Sequence, residues 1–196
     1  AEAVTDYDLS TAGGTTPVNT ANCYVVNAPG TYRFPLIYGN AIRNGADNQE
    51  AYAKKTDEWY VEYPFWDCVS RDIQSPFITS DRTFRAAILW QDENNLVKNV
   101  GVSPTQGNML GKNVQYIAFE VEAGTIRQGN CVIALYAEDN ANSTLVWSWH
   151  IWVTDFVPGL PPTVTPHYNP AEMQRDKVVT SNRGLKYTFM GVNIGW

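Results

Sequence analysis

Short apolar runs return at intervals of about ten residues along this chain, and Gly, Asn, Asp or Pro closes each of them. The runs are NCYVVN (22–27), TYRFPLIYG (31–39), FRAAILWQ (84–91), LVKNVGV (96–102), NVQYIAFEV (113–121), NCVIALYAE (130–138) and LVWSWHIWV (145–153). They are rich in Val, Ile, Tyr, Phe and Trp, the residues that fit a pleated, half-buried surface. No segment keeps apolar residues at helical spacing for three turns. The rhythm predicts an all-β fold, an antiparallel β-sandwich. With 196 residues, the chain suits one large β domain, or one domain plus a short appendage, and can bury a core without a metal or a disulfide.

The run LVWSWHIWVTD (145–155) concentrates three tryptophans and a histidine. Alternate residues of a strand share a face. Leu145, Trp147, Trp149, Ile151 and Val153 are therefore expected to form an apolar inner wall. Val146, Ser148, His150, Trp152 and Thr154 fall on the opposite, mixed face. His150 and Trp152 there are a candidate ligand-binding pair, since an imidazole beside an indole can contact a sugar ring. The competing expectation is a central strand covered on both sides, with His150 bonded to a backbone carbonyl.

Residues 44–83 break the rhythm. They mix charges with EWYVEYPFW (58–66) and read as an elaborated aromatic insertion, with one or two helical turns at EAYAKK. Trp59, Tyr63 and Trp66, with Tyr60 and Phe65, form a second candidate surface. They are either a lid over one end of the sandwich or an exposed platform for a glycan or protein. Residues 1–20 read as a lead-in or linker, and 21–156 as the sandwich domain. The four prolines of VPGLPPTVTP place a spacer over 157–183. Residues 184–196 read as a terminal strand, which either begins a next domain or is donated to a neighbour.

Composition limits the functions that remain. The formal net charge is −6 and Lys54–Lys55 is the longest basic run, so nucleic-acid binding is not expected. No apolar run approaches the roughly 20 residues of a membrane-spanning helix. AEAVTDYD has no signal-peptide character, so an exported protein would be represented here by a mature or trimmed form. Cys23, Cys68 and Cys131 show no CxxC spacing, and with two histidines no metal site or other cofactor is expected. Cys23 and Cys131 lie in apolar runs and are expected to be buried free thiols, although Cys23–Cys131 or a pairing with Cys68 stays open. His167 lies in the spacer, where no nucleophile is fixed beside it. No GxSxG or HExxH motif occurs. The acidic pairs Asp57–Glu58 and Asp92–Glu93 sit in turn or loop contexts. The acidic turns QDENN and AEDNANS could offer oxygens to calcium, but ordinary hairpin turns use the same residues. No catalytic residue is assigned, and the chain is expected not to be an enzyme.

Several segments together carry a resemblance. TANCYVVNAPGTYRFPLIYGN, AAILWQDENNLVKNV, YIAFEV, QGNCVIALY and LVWSWHIWVTD resemble a module of Bacteroidota surface proteins. That module occurs in fimbrillin-like lipoproteins and in proteins with the Fibrobacter succinogenes major-paralogous domain. The resemblance covers about residues 20–43 and 84–155, and 44–83 match nothing in it. YTFMGVNIGW resembles the stretch where such proteins begin their next domain. Cys131 departs from the pattern, in which a small apolar residue is expected. The resemblance implies an immunoglobulin-like sandwich, export, and display at the cell surface or on the outer face of the outer membrane. It implies a structural or adhesive role, as in pilus or surface-lipoprotein components, with other surface subunits or a glycan as partners. A carbohydrate-binding module using exposed aromatics is the alternative.

Overall fold

A computed structural model describes residues 2–56, 61–62, 66–138, 142–154 and 177–189. The chain divides into two units, Ala1–Val153 and Thr154–Trp196. The strands of the first are β1 (Val4–Asp8), β2 (Cys23–Val26), β3 (Gly30–Pro35), β4 (Ile42–Arg43), β5 (Ala46–Asp47), β6 (Lys55–Thr56), β7 (Val61–Glu62), β8 (Thr83–Gln91), β9 (Lys98–Met109), β10 (Lys112–Val121), β11 (Gly129–Glu138) and β12 (Ser143–Val153). In the second unit β13 (Lys177–Thr180) and β14 (Lys186–Phe189) pair as an antiparallel hairpin.

Two four-stranded sheets, ordered β1-β3-β10-β9 and β2-β12-β11-β8, make the body of the first unit. Their inner faces share one core. Tyr32, Phe34, Ile117, Phe119 and Val121 enter it from the first sheet. Tyr24, Val26, Cys131, Ile133, Leu135, Trp149, Ile151 and Val153 enter from the second. Aromatic rings join the layers, with Phe34 5.1 Å from both Tyr24 and Trp149 between centroids. The fold is thus an all-β sandwich, as the strand rhythm predicts. Both sheets are antiparallel except at one edge each, where β1 runs parallel to β3 and β2 parallel to β12.

The segment read as a lead-in supplies β1. Val4, Tyr7 and Leu9 pack against the core, and Asp8, Ser10 and Thr20 are buried. Polar, Gly-bearing sequence hid this strand, because an edge strand needs few apolar side chains. Gly30 makes the pairing possible. Its φ is +141°, and a Cβ there would lie 2.1 Å from the Val4 carbonyl oxygen. Residues 177–180, expected in the spacer, are instead β13, the pairing partner of β14.

Trp147 and Trp149 face the core as expected, but the inner wall is not the simple alternation of 145–153. Leu135 opposes Trp147 and Tyr136 opposes Leu145, which leaves Val146 as an extra residue. This β-bulge reverses the phase: Val146 is buried and Leu145 is 45% exposed. A second bulge at Leu89, between the pairs Val132–Trp90 and Ile133–Ile88, does the same in β8. There Leu89 and Trp90 are both exposed.

The region 44–83 contributes to a second, smaller core. Ile42, Tyr52, Ile73 and Phe77 pack with Met109, Val114 and Tyr116 from the β9–β10 hairpin. The helical turns expected at EAYAKK reduce to a single 3-10 turn at Gln49–Ala51.

Candidate functional site

The outer face of the second sheet carries a row of four residues across four strands. Cys23 on β2 opposes His150 on β12, His150 opposes Val132 on β11, and Val132 opposes Trp90 on β8. Strand register alone sets this row, because residues directly opposite one another bring their side chains together. His150 does not bond a backbone carbonyl through its ring, as one expectation had it. Its Nδ1 lies 3.2 Å from Cys23 Sγ and its Nε2 2.8 Å from Asn130 Oδ1.

Asn130 is itself held from behind. Its side-chain amide donates to Asp92 Oδ2 at 2.9 Å, and its backbone N–H donates to Asp92 Oδ1 at 2.8 Å. The Asp92 backbone N–H returns a bond to the Asn130 carbonyl at 3.1 Å. Gly129 leaves room for the carboxylate, since a Cβ at that position would sit 2.3 Å from Asp92 Oδ1. An ionised carboxylate only accepts, so the NH₂ of Asn130 must face Asp92 and its Oδ1 must face His150. That oxygen accepts, so neutral His150 carries its proton on Nε2. Its Nδ1 lone pair is left facing the Cys23 thiol.

The electrostatics favour neutral partners. Burial lowers the His150 pKa from its usual value, opposed by the negative charge of Asp92. Burial also raises the Cys23 thiol, although Cys23 is an exposed residue at the sheet edge rather than the buried thiol expected. All three cysteines are free. Cys131 is the buried one, its thiol pushed up to about 12 by burial and by Asp92.

The aromatic candidates separate. Trp152 is only 7% exposed, so it is not a free stacking surface. Trp59 and Tyr63, with Tyr60 and Phe65, lie outside the described residues. Trp66 is 51% exposed, and its backbone bridges to Asp72. Asp67, next in sequence to Trp66, and the bridge partner Asp72 line an open cleft of about 540 Å³. Tyr38, Arg71, Gln74 and Phe77 complete much of its wall. Asp67 accepts from the backbone N–H groups of Val69 and Arg71 at 2.9 and 2.8 Å, and from Arg71 Nε at 3.0 Å. Burial pushes its carboxyl up, but these bonds outweigh it and hold Asp67 below the usual carboxylate range. Lys54 Nζ approaches Asp72 at 3.8 Å. The cleft therefore gathers carboxylates, a guanidinium and an amide, and the backbone of the exposed Trp66 is bridged to one of its lining residues, Asp72.

Sequence reasoning missed Trp90, Cys23, Asn130 and Asp92 as parts of one surface. They lie far apart along the chain and meet only through strand register. The missed signal for the shape of the insertion is Asn44–Gly45, a hairpin dipeptide that joins β4 to β5 with φ of 51° and 76°. No protein-family model matches the chain, and no curated protein or solved structure is significantly similar to it.

Proposed function

We propose that this chain is a non-enzymatic, surface-displayed β-sandwich module of the fimbrillin-like kind, and that it acts as an adhesin toward a glycan. The observation that carries this reading is the cleft lined by Asp67, Arg71, Asp72 and Gln74, with the exposed Trp66 bridged through its backbone to Asp72. Sugars are recognised by an aromatic face that stacks on the ring and by planar polar groups that take paired hydroxyls. Trp66 offers the first, and Asp72, Arg71 and Gln74 offer the second. The cleft is open to solvent, which suits a chain that passes over a surface better than a small molecule held inside. Its wall rests on the small core of Ile42, Tyr52, Ile73 and Phe77, so the polar groups stand on a packed support.

The test is a glycan array followed by calorimetry on any hit. Trp66→Ala and Asp72→Ala are each expected to weaken binding about tenfold or more, the loss of roughly 1.4 kcal/mol. Absence of any glycan ligand, or binding indifferent to both changes, removes the adhesive reading.

A purely structural role is the second reading, and one observation favours it. Strand β8 is a sheet edge, and it exposes Leu89 and Trp90 together, 53% and 52%. An apolar edge invites pairing with another chain. Light scattering across a concentration series checks this. Self-association abolished by Leu89→Asp and Trp90→Asp supports assembly through β8, and a monomer at every concentration rejects it.

A further inference from the structure

We propose that Cys23 is a base-assisted nucleophile that exchanges with small-molecule disulfides, with His150 as its proton acceptor and Asn130 and Asp92 as positioning residues. The proposal is independent of glycan binding.

The geometry supplies each part such a thiol needs. The nucleophile is accessible, at the start of edge strand β2. The base lies within hydrogen-bond reach at 3.2 Å. A third group fixes the base, and Asp92 fixes that third group in turn, so the tautomer with a free Nδ1 is the one the protein holds. Backbone bonding locks the frame, since the His150 N–H donates to the Asn22 carbonyl at 2.8 Å. Cys68 is also exposed, but the one histidine among the described residues, His150, lies against Cys23 instead. A metal would find Cys23 and His150, yet among the described residues no third His, Cys, Asp or Glu joins them.

In the exchange, Cys23 Sγ attacks one sulfur of R–S–S–R while its proton moves to His150 Nδ1. A new Sγ–S bond forms and the R–S–S–R bond breaks. The electron pair leaves on the second sulfur, and the imidazolium returns the proton to it as RSH. Cys23 is oxidised to the mixed disulfide, and the reagent's second sulfur is reduced to a thiol. No oxyanion is formed, so the site needs no cradle of backbone donors. Burial raises the thiol and lowers the imidazole, so the resting pair is neutral and the proton must pass to His150 during attack rather than beforehand.

The titratable groups facing His150 among the described residues are Cys23 from β2 and, behind Asn130, Asp92 from the turn after β8. The rate at Cys23 is therefore expected to follow the free His150 base. It rises with pH through the acid range and levels off near neutrality. An ordinary thiol keeps gaining about tenfold per pH unit until it ionises.

The experiment uses the full chain and the uncharged chromogenic probe 2,2′-dithiodipyridine. Cys68→Ser isolates Cys23, Cys23→Ser isolates Cys68, and peptide mapping confirms the labelled residue. At pH 7, Cys23 is expected to react at least about tenfold faster than Cys68, at the low end of what a positioned base supplies. His150→Gln is expected to remove that advantage and to restore the steep thiol profile. Asn130→Ala, which keeps the imidazole but frees its orientation, is expected to slow Cys23 several-fold. Equal rates at Cys23 and Cys68, or a Cys23 rate indifferent to His150→Gln, overturn the proposal. Should His150→Gln fail to fold, the pH profile of the unsubstituted Cys23 decides: a thiol-like slope through pH 8 rejects the base.

Discussion

The indole of Trp149 packs against the ring of Phe34, with centroids 5.1 Å apart and planes inclined by 53°. The contact joins β12 of one sheet to β3 of the other. Trp149 is 1% exposed, and its Nε1–H has no hydrogen-bond partner among the described residues. Trp149→Ala should cost about 3–5 kcal/mol, the usual range for emptying so large a site. Trp149→Phe keeps a ring against Phe34 and removes a buried unpaired donor. It should cost no more than about 2 kcal/mol, because an unsatisfied buried polar group itself costs about 1–3 kcal/mol. Urea unfolding of both variants checks this. Equal losses would mean that the indole N–H is satisfied in solution.

The bulge at Val146 predicts opposite tolerance at two adjacent positions. Leu145→Asp places a charge in solvent and should change stability by no more than about 0.5 kcal/mol. Val146→Asp buries a carboxylate against the core and should cost at least about 2 kcal/mol. Thermal or denaturant melts decide it. The reverse order would restore unbroken alternation and remove the bulge.

Gly30 sets whether β1 can pair. Gly30→Ala forces a Cβ to within 2.1 Å of the Val4 carbonyl oxygen. The strand must then retreat, at a cost of about 1–3 kcal/mol for the strained backbone alone. Hydrogen exchange at Leu9 reports this directly, because its N–H donates to the Arg33 carbonyl at 2.9 Å. That amide should lose protection, while amides of the β11–β12 ladder keep theirs. Unchanged protection of Leu9 in the variant would show that β1 is not held through Gly30.

His150 should make the fold acid-sensitive. Its folded pKa lies below the usual 6.5, chiefly because burial disfavours the charged ring. The unfolded chain therefore binds the proton first as pH falls. Stability from this group is complete above pH 6.5 and declines below it, until the folded pKa is reached. The slope cannot exceed about 1.4 kcal/mol per pH unit for one proton. Urea midpoints between pH 7.5 and 5, compared with His150→Gln, isolate the contribution. The same slope in both proteins would assign the acid sensitivity to other groups.

The strand runs from 22 to 153 were legible because each buries a face of about the right period, and burial of apolar area is the dominant favourable term in folding. That reading found the sandwich and the inward-facing Trp147 and Trp149. Beyond that it failed in three specific ways. Alternation cannot see a bulge, so Leu145 and Val146 exchanged places. Propensity cannot see an edge strand that pairs mainly through backbone, so β1 was read as linker. The run expected at 96–102 goes on to Met109, because Pro104 falls in a bulge of β9, a sheet-edge strand, where no ladder donor is required of it.

What the amino-acid order determined by itself was the class of fold and the side chains that had to leave water. Hydrophobic periodicity and turn chemistry act within a few residues, and they are written locally. The proximity of Cys23, Asp92, Asn130 and His150 is of another kind. It depends on strand order and on a register in which a one-residue slip would send every partner to the opposite face. Only the assembled sheet fixes that register, so only the tertiary structure could turn four scattered polar residues into one hydrogen-bonded chain.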